Sequence, residues 1–399
     1  MRISIFANEI PATVFIEDLI TALASRGHEV FIYGKYIKNP HYDNYPNIHI
    51  VHKPKTQIKK ILYALKYFFK LIFTKPKLLI HIIKISKVNS FIRWMQKFNM
   101  YITLYDWNLD IIHIQWAKSV TILDELIKDG KIKTVLSLRG THINVSPIVN
   151  EKIKNEFEKL FPFINGFHGV SYAIISESQK YYHNLPNRSI VAYPSISKET
   201  YNLFNISQPS AINFNIISVG RFHHIKGFMY ALDALKILID EGIPVYYTLV
   251  AFGTLPEQLL FQIEDLDLHN HIRIIPSLPH DEVLAAIQNA DVLLLSSIDE
   301  GIPNVIIEAM AVGTPVVSTD CSGIVEVIEN GVNGIITKVC TPSSIAQGLT
   351  KVYNLTPSER EQMILKAREQ LNVNHLQEMQ LNNIEKLYDS VLNNWKETI

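Results

Sequence analysis

Two short stretches carry residues able to do chemistry. The first is Ser218-Val219-Gly220-Arg221-Phe222-His223-His224-Ile225-Lys226-Gly227. An apolar run ends at Gly220, Arg221 and Lys226 fall at its carboxyl edge, and a helix is expected from about Gly227 to Asp240. Two cations beside the free N–H groups of a helix N-terminus make an anion site suited to phosphate. Taken alone, an Arg-x4-Lys pair is also what a solvated strand end and helix start would show. No GxxxxGK[ST] and no GxGxxG occurs in the chain, which excludes a Walker loop and disfavours a nicotinamide dehydrogenase.

The second stretch is Glu300-Gly301-Ile302-Pro303-Asn304-Val305-Ile306-Ile307-Glu308-Ala309-Met310-Ala311. Glu300 opens a loop in which Gly301 permits close backbone approach. Asn304 is expected to cap a helix whose unsatisfied N–H groups then face the same edge. Glu308 follows one turn later in apolar company. A carboxylate there is costly to bury without hydrogen-bond donors, and sugar hydroxyls are suitable ones. A capping carboxylate and one solvated Glu would account for the pair taken separately.

The elements that must position these residues alternate. Strands are expected at Arg2–Ala7, Val30–Tyr33, Leu109–Ile114, Thr134–Leu138, Gly166–Val170 and Ser189–Ala192, with helices at Thr13–Ser25 and Ser119–Asp129. After a polar segment from about Ser195 to Asn213 the pattern restarts at Asn215–Val219, Val245–Val250, Ile272–Ile275, Val292–Leu295 and Pro315–Ser318. One or two helices fill about Ser358 to Asn394. Alternating strands and helices give parallel, doubly wound sheets, with ligands beyond the carboxyl ends of the strands. The chain therefore reads as α/β, with two facing Rossmann-like domains and an interdomain cleft. The boundaries are 1–205 and 206–377, with a terminal helix at about 378–399 packing back on the first domain.

Gly313-Thr314-Pro315-Val316-Val317, Gly323-x-x-Glu326 and Gly331-x-x-Gly334 complete the pattern. Together with Glu300 and Glu308 spaced as Glu-x7-Glu, it resembles the retaining, GT-B-fold glycosyltransferases of family 4. The resemblance is dense from Ile216 to about Gly348 and looser upstream, where Asn8-Glu9-Ile10-Pro11 and Ala24–Val30 look like the family's opening. It implies a nucleoside-diphosphate sugar as donor, with Arg221 and Lys226 on the diphosphate near Gly220. Glu308 would hold the ribose and Glu300 the sugar, with backbone N–H groups of the Ile302-Pro303-Asn304-Val305 segment after Gly301 also in reach. The nucleobase would lie near Gly253 and the Pro276–His280 turn. It further implies no metal and no cofactor, since cations and a helix dipole meet the leaving charge. Two departures concern the first domain. Ile10-Pro11-Ala12-Thr13 stands where many relatives have a Gly-Gly turn, and Arg139 stands where an acceptor-side His often precedes a Gly. Arg139, His142 and His113 are the acceptor-side candidates, with a structural role as the other reading of His113. A non-catalytic GT-B binding subunit is the alternative to the enzyme, and a phosphorylase or sugar-nucleotide epimerase is a further rival.

The chain has 399 residues and a formal charge of zero, yet residues 1–200 hold 27 Lys and Arg against 15 Asp and Glu. Between Asn44 and Tyr105 no acidic residue occurs, while twelve basic ones run from Lys53 to Lys97. Ile58, Ile61, Leu62, Leu65, Phe68, Phe69 and Ile72 share one helical face, with Lys59, Lys60, Lys66 and Lys70 opposite. One reading is a domain helix with a solvated basic face. The other is a helix on an anionic membrane surface, bringing the enzyme to a glycan or lipid-linked oligosaccharide acceptor of bacterial surface polysaccharide synthesis. Nucleic acid is disfavoured, because no zinc-finger, RNP or helix-turn-helix signature accompanies the charge. Two cysteines, Cys321 and Cys340, cannot build a disulfide scaffold, and neither a leader nor a membrane-spanning run is evident. A cytoplasmic enzyme, peripheral on the inner face of the membrane, is the expectation.

Overall fold

The computed structural model describes residues 1–40, 42–50, 57–88, 90–206, 210 and 212–395, and only the backbone of residues 57, 59 and 60. The chain forms two compact units. One comprises Met1–Gly169, Ile175–Ala192 and Leu381–Ile399, and the other Val170–Ile174 and Tyr193–Gln380. The exchange at Ala192–Tyr193 lies upstream of residue 205, because Ile196 already pairs with Leu376 and packs in the second unit's core.

The first unit is built on seven parallel strands: β1 Arg2–Ile10, β2 Glu29–Tyr36, β3 Ile48–Ile50, β4 Ile111–Ile114, β5 Lys133–Leu138, β6 Gly166–Gly169 and β7 Ser189–Val191. Their order is β3-β2-β1-β4-β5-β6-β7. The run Asn8-Glu9-Ile10, past the expected strand end at Ala7, continues β1. A register shift after Phe6 lets Glu9 and Ile10 pair with Lys35 and Tyr36. β3 was not expected, since a three-residue strand carries too little alternation to show as a period. The stretch Ser119–Asp129 divides into a 3-10 turn, Ala117–Thr121, and a short helix, Asp124–Asp129.

Three helices, Gln57–Thr74, Pro76–Ile85 and Phe91–Asp106, stand between β3 and β4. Lys53 and Lys55 of the basic stretch lie outside the described residues. In the first helix Tyr63 faces inward, its hydroxyl 3.1 Å from Thr103 Oγ1, and Leu71 is buried. Lys70 reaches Asp106 at 2.9 Å. The apolar stripe is the face left over: Ile58, Ile61, Leu62, Leu65, Phe69 and Ile72 are exposed, as are Phe73 (84%) on this helix and Phe91 (71%) on the third. A helix of this amphipathic kind ordinarily turns its apolar face to the core. This one does not, so a domain helix with only its basic face solvated does not describe it.

The second unit has six parallel strands: β8 Phe214–Arg221, β9 Val245–Phe252, β10 Ile272–Ile275, β11 Val292–Leu295, β12 Val316–Thr319 and β13 Ile335–Thr337, in the order β10-β9-β8-β11-β12-β13. Helix Phe228–Asp240 covers one face through Phe228, Leu232, Leu235 and Leu238, and helix Asn304–Val312 covers the other through Ile306, Ile307 and Met310. β8 and β11 are central neighbours, so the loops leaving their carboxyl ends start side by side. That adjacency positions the site.

Candidate functional site

β8 ends in Arg221, and a single 3-10 turn, His224–Lys226, separates it from the following helix. Gly227 joins the two at φ 61°, in the left-handed region, and a Cβ there would stand 2.1 Å from the Ser296 carbonyl oxygen. No other residue type fits that combination. The contact is reinforced by Ser296 Oγ donating to the Lys226 carbonyl (2.9 Å) and by Ile298 N–H donating to Ile225 (2.7 Å). The loop after β8 is thereby fastened to the loop after β11.

This fastening brings Lys226 and Glu300 together. Lys226 Nζ lies 2.5 Å from Glu300 Oε1, with both side chains mostly shielded, and Ser297 Oγ donates to the same oxygen at 3.0 Å. The aliphatic stem of Lys226 crosses Gly220, whose absent side chain leaves the room: a Cβ there would be 3.3 Å from Lys226 Cε. Arg221 is exposed and forms no ion pair among the described residues. His223 stands in the same field. Burial first, then the charges of His224, Arg221 and Lys226, hold it below the ordinary histidine value. A positive pocket edge with one captive carboxylate is thus assembled from residues 74 positions apart.

Helix Asn304–Val312 begins one residue earlier than expected. Pro303 holds the cap position and Asn304 is the first helical residue, its side chain making no cap bond. Proline fits because a helix start needs no N–H from it. Gly301, Ile302, Pro303 and Val305 are buried around this start. Glu308, mostly shielded, accepts from or shares a proton with His280 Nε2 at 3.0 Å. His280 opens helix His280–Gln288, so the two glutamates have separate partners. Gly253 follows β9 at φ 106° with open space beside it. Gly323 lets its chain pass the Gly301 carbonyl, and Glu326 accepts from the N–H groups of Tyr172 (2.9 Å) and Ala173 (2.8 Å) and from the Tyr193 hydroxyl (2.9 Å). That carboxylate is committed to structure.

The first unit treats its candidates differently. His113 on β4 is fully buried, with Nδ1 2.7 Å from the Tyr388 hydroxyl and Nε2 2.9 Å from Ser137 Oγ. Ser137 Oγ lies 2.9 Å from His168 Nδ1, and His168 Nε2 lies 2.9 Å from the Ala192 carbonyl. Proton positions follow from that last carbonyl, which can only accept. His168 donates to it, Ser137 donates to His168, His113 donates to Ser137, and Tyr388 donates to His113. Both imidazoles are neutral in this chain. Burial depresses His168 to about 3 and His113 likewise lies well below the ordinary value, the Arg139 charge adding to both. His113 is therefore a structural histidine. Arg139 is held apart from it: its guanidinium stacks over Phe15 at 4.5 Å and donates to Gln115 Oε1 at 3.2 Å. Burial lowers it to about 10. His142, in the short helix Gly140–Asn144, sits against Trp116 at 5.3 Å, and Trp116 meets Phe15 edge-on. Arg139 and His142 thus share one aromatic cluster.

Ser297, His223 and His280 carry no assigned role in the sequence reading. His223 sits inside the quoted Ser218–Gly227 stretch, and Ser297 lies three residues before Glu300. His280 closes the Pro276–His280 turn expected near the nucleobase, but its pairing with Glu308 was not foreseen.

Residues 204–370 match the family model described as glycosyl transferases group 1. The chain is 36% identical over 157 residues to the amylovoran biosynthesis glycosyltransferase AmsK of Erwinia amylovora, covering 37% of this chain and 38% of that one. It is 34% identical over 167 residues to the putative colanic acid biosynthesis glycosyltransferase WcaL of Escherichia coli K12, covering 40% and 41%. In these matches the chain spans less than half the length of each relative. The crystal structure of Anabaena HepE in complex with UDP superposes with a TM-score of 0.71 at 18% identity, covering 98% of this chain and all of that one. With two parallel Rossmann-like sheets and such neighbours, the chain has the GT-B fold, and the match to the group 1 glycosyl transferase model falls within its second unit.

Proposed function

We propose that the chain is a retaining glycosyltransferase of family 4, moving a hexose-type sugar from a nucleoside-diphosphate sugar to a glycan acceptor of bacterial surface polysaccharide synthesis. The observation that carries this reading is the Lys226–Glu300 pair, fixed at the joined ends of β8 and β11 beside Arg221. Lys226 and Arg221 meet the diphosphate. Glu300, with Oε1 held by Lys226 and Ser297, offers its other oxygen to the sugar hydroxyls, and Glu308 takes the ribose. In front-face substitution the acceptor oxygen bonds to the anomeric carbon on the side the phosphate leaves. The acceptor's proton passes to the departing phosphate oxygen, and the cations offset the charge that remains. Names of relatives involved in amylovoran and colanic acid synthesis support the polysaccharide setting. Metal independence is part of the proposal, and turnover unchanged by EDTA checks it.

The acceptor is lipid-linked and the chain docks peripherally on an anionic membrane. No helix among the described residues is long and apolar enough to cross a bilayer. The exposed stripe of helix Gln57–Thr74, with Lys66 exposed beside it, suits a surface where apolar side chains sink and basic ones meet lipid phosphates. Sedimentation with anionic liposomes at low salt tests the docking, and replacing Phe69 and Phe73 by Glu should abolish it. For the enzyme, the test is a panel of UDP-, GDP- and ADP-sugars followed by nucleotide release. Absence of even slow hydrolysis across the panel would leave a non-catalytic binding subunit.

A further inference from the structure

A cavity of about 670 Å³ opens in the first unit, lined by none of His113, Arg139 and His142. Its floor is the carboxyl ends of β1 and β2, where Phe6 and Tyr33 stack at 5.0 Å. Its roof is formed by Tyr63 of helix Gln57–Thr74 and by Met100 and Thr103 of helix Phe91–Asp106. The hydroxyl contact between Tyr63 and Thr103 ties these two helices together above it. The volume is in the usual range for small-molecule sites. Three cations border it. Lys97 is neutralised by Asp124 at 2.6 Å, whereas Lys35 and Arg93 are exposed and form no ion pair among the described residues.

Two features narrow the ligand. The walls join aromatic and aliphatic side chains to Asn8, Gln96, Asn99 and Thr103, and their larger apolar part suits an apolar chain, while the rim carries unpaired positive charge, which suits phosphate. The roof helices are also those whose outer faces leave Phe73 and Phe91 exposed. The cavity therefore lies directly under the surface assigned to the membrane, where an amphiphile would arrive.

We propose that this cavity binds a phosphate ester of a long apolar alcohol, with the chain against Phe6, Tyr33, Tyr63 and Met100 and the phosphate between Lys35 and Arg93. The proposal rests on the reading of the chain as a transferase with a lipid-linked acceptor, and locates that acceptor's lipid–phosphate junction. Nothing in the second unit's site is used.

The probe is farnesyl phosphate below its micelle concentration, titrated into the full chain by calorimetry, with farnesol and inorganic phosphate as separate arms. The ester should bind at least tenfold tighter than either arm. The Lys35→Glu, Arg93→Glu double variant should weaken it at least tenfold. So should Ile122→Trp, since Ile122 is a half-exposed rim residue whose enlargement blocks entry without disturbing the core. Equal affinity in all proteins, no binding to the unaltered chain, or inorganic phosphate binding as well as the ester would each overturn the site. UDP-induced thermal shifts in the same proteins separate the two readings. UDP response kept while the ester is ignored removes the cavity assignment alone. Ester binding without response to any nucleotide removes the transferase reading and leaves the cavity.

Discussion

Both units put polar residues at the carboxyl ends of central parallel strands, yet they spend them in opposite ways. In the first, His113, Ser137 and His168 on β4, β5 and β6 pass one set of protons from Tyr388 to the Ala192 carbonyl. Both nitrogens of each imidazole in that chain are filled from within. In the second, Arg221 stays exposed, Lys226 and Glu300 hold each other at a shielded rim, and the start of helix Asn304–Val312 faces the same loops. A satisfied network gives rigidity and has nothing left for a ligand. A charged cluster with spare capacity does, because the group that completes it must come from outside. Strand-end location by itself therefore does not identify a site. The balance of donors and acceptors does.

The sharpest way to break the contrast is to remove a charge from the open site. Lys226→Ala should lower turnover by 10²-fold or more, about 2.7 kcal/mol of transition-state stabilisation, with the fold intact by circular dichroism. Near-normal turnover would place the diphosphate elsewhere. Ser137→Ala is the matching cut in the closed network. It strands the His113 N–H without an acceptor and His168 Nδ1 without a donor, and should cost about 2 kcal/mol or more of stability in urea denaturation. Nucleotide binding by Ser137→Ala protein should be unaltered, since the bonds from Tyr388 to the Ala192 carbonyl all join residues of the first unit. A stability unchanged by the substitution would mean the protons are arranged otherwise.

Much of this organisation was legible in the residues. The parallel strands announce themselves as β-branched runs, and Arg221, Lys226, Glu300 and Glu308 stand in motifs whose spacing survives folding because strand end and helix start follow each other immediately. What could not be read depends on approach across the sheet. That Lys226 pairs with Glu300 requires Gly227 to touch Ser296, a contact between loops of neighbouring strands that are distant in the chain. The His280 partnership of Glu308 is of the same kind. His113 illustrates the converse. Its position at the end of Asp110-Ile111-Ile112-His113 marks a sheet edge, but only the register of β4, β5 and β6 and the placement of Tyr388 show that both its nitrogens are occupied. The outward stripe on helix Gln57–Thr74 was visible as a period. Its direction was not, because periodicity reports a face and not what the face meets.

Glu308→Ala is a milder cut on the open side. Losing one charged acceptor for a ribose hydroxyl should weaken nucleotide affinity about tenfold, or about 1.4 kcal/mol, and leave turnover at saturating donor much closer to normal than Lys226→Ala does. Calorimetric titration reads it directly. An unchanged affinity would release Glu308 from the donor and leave it as the partner of His280.

Acid should expose the closed network most gently. His168, held at about 3, and His113, also depressed, take up no second ring proton in the folded chain at the pH where the unfolded chain, with ordinary values near 6.5, begins to take one up. The unfolded state then binds more protons, so stability is fully present above about pH 6.5 and declines as pH falls towards the folded values. Between pH 6.5 and 5.5 His168 should subtract about 1 kcal/mol, and His113 adds to the loss in the same direction. The underlying cause can be seen without unfolding anything. In an NMR titration of the imidazole carbons from pH 8 to 5, the resonances of His113 and His168 should stay at their neutral positions. Movement of either one near pH 6.5 would mean that water or a counter-charge reaches the network, and the distinction between a closed and an open strand end would fail at the residue on which it was drawn.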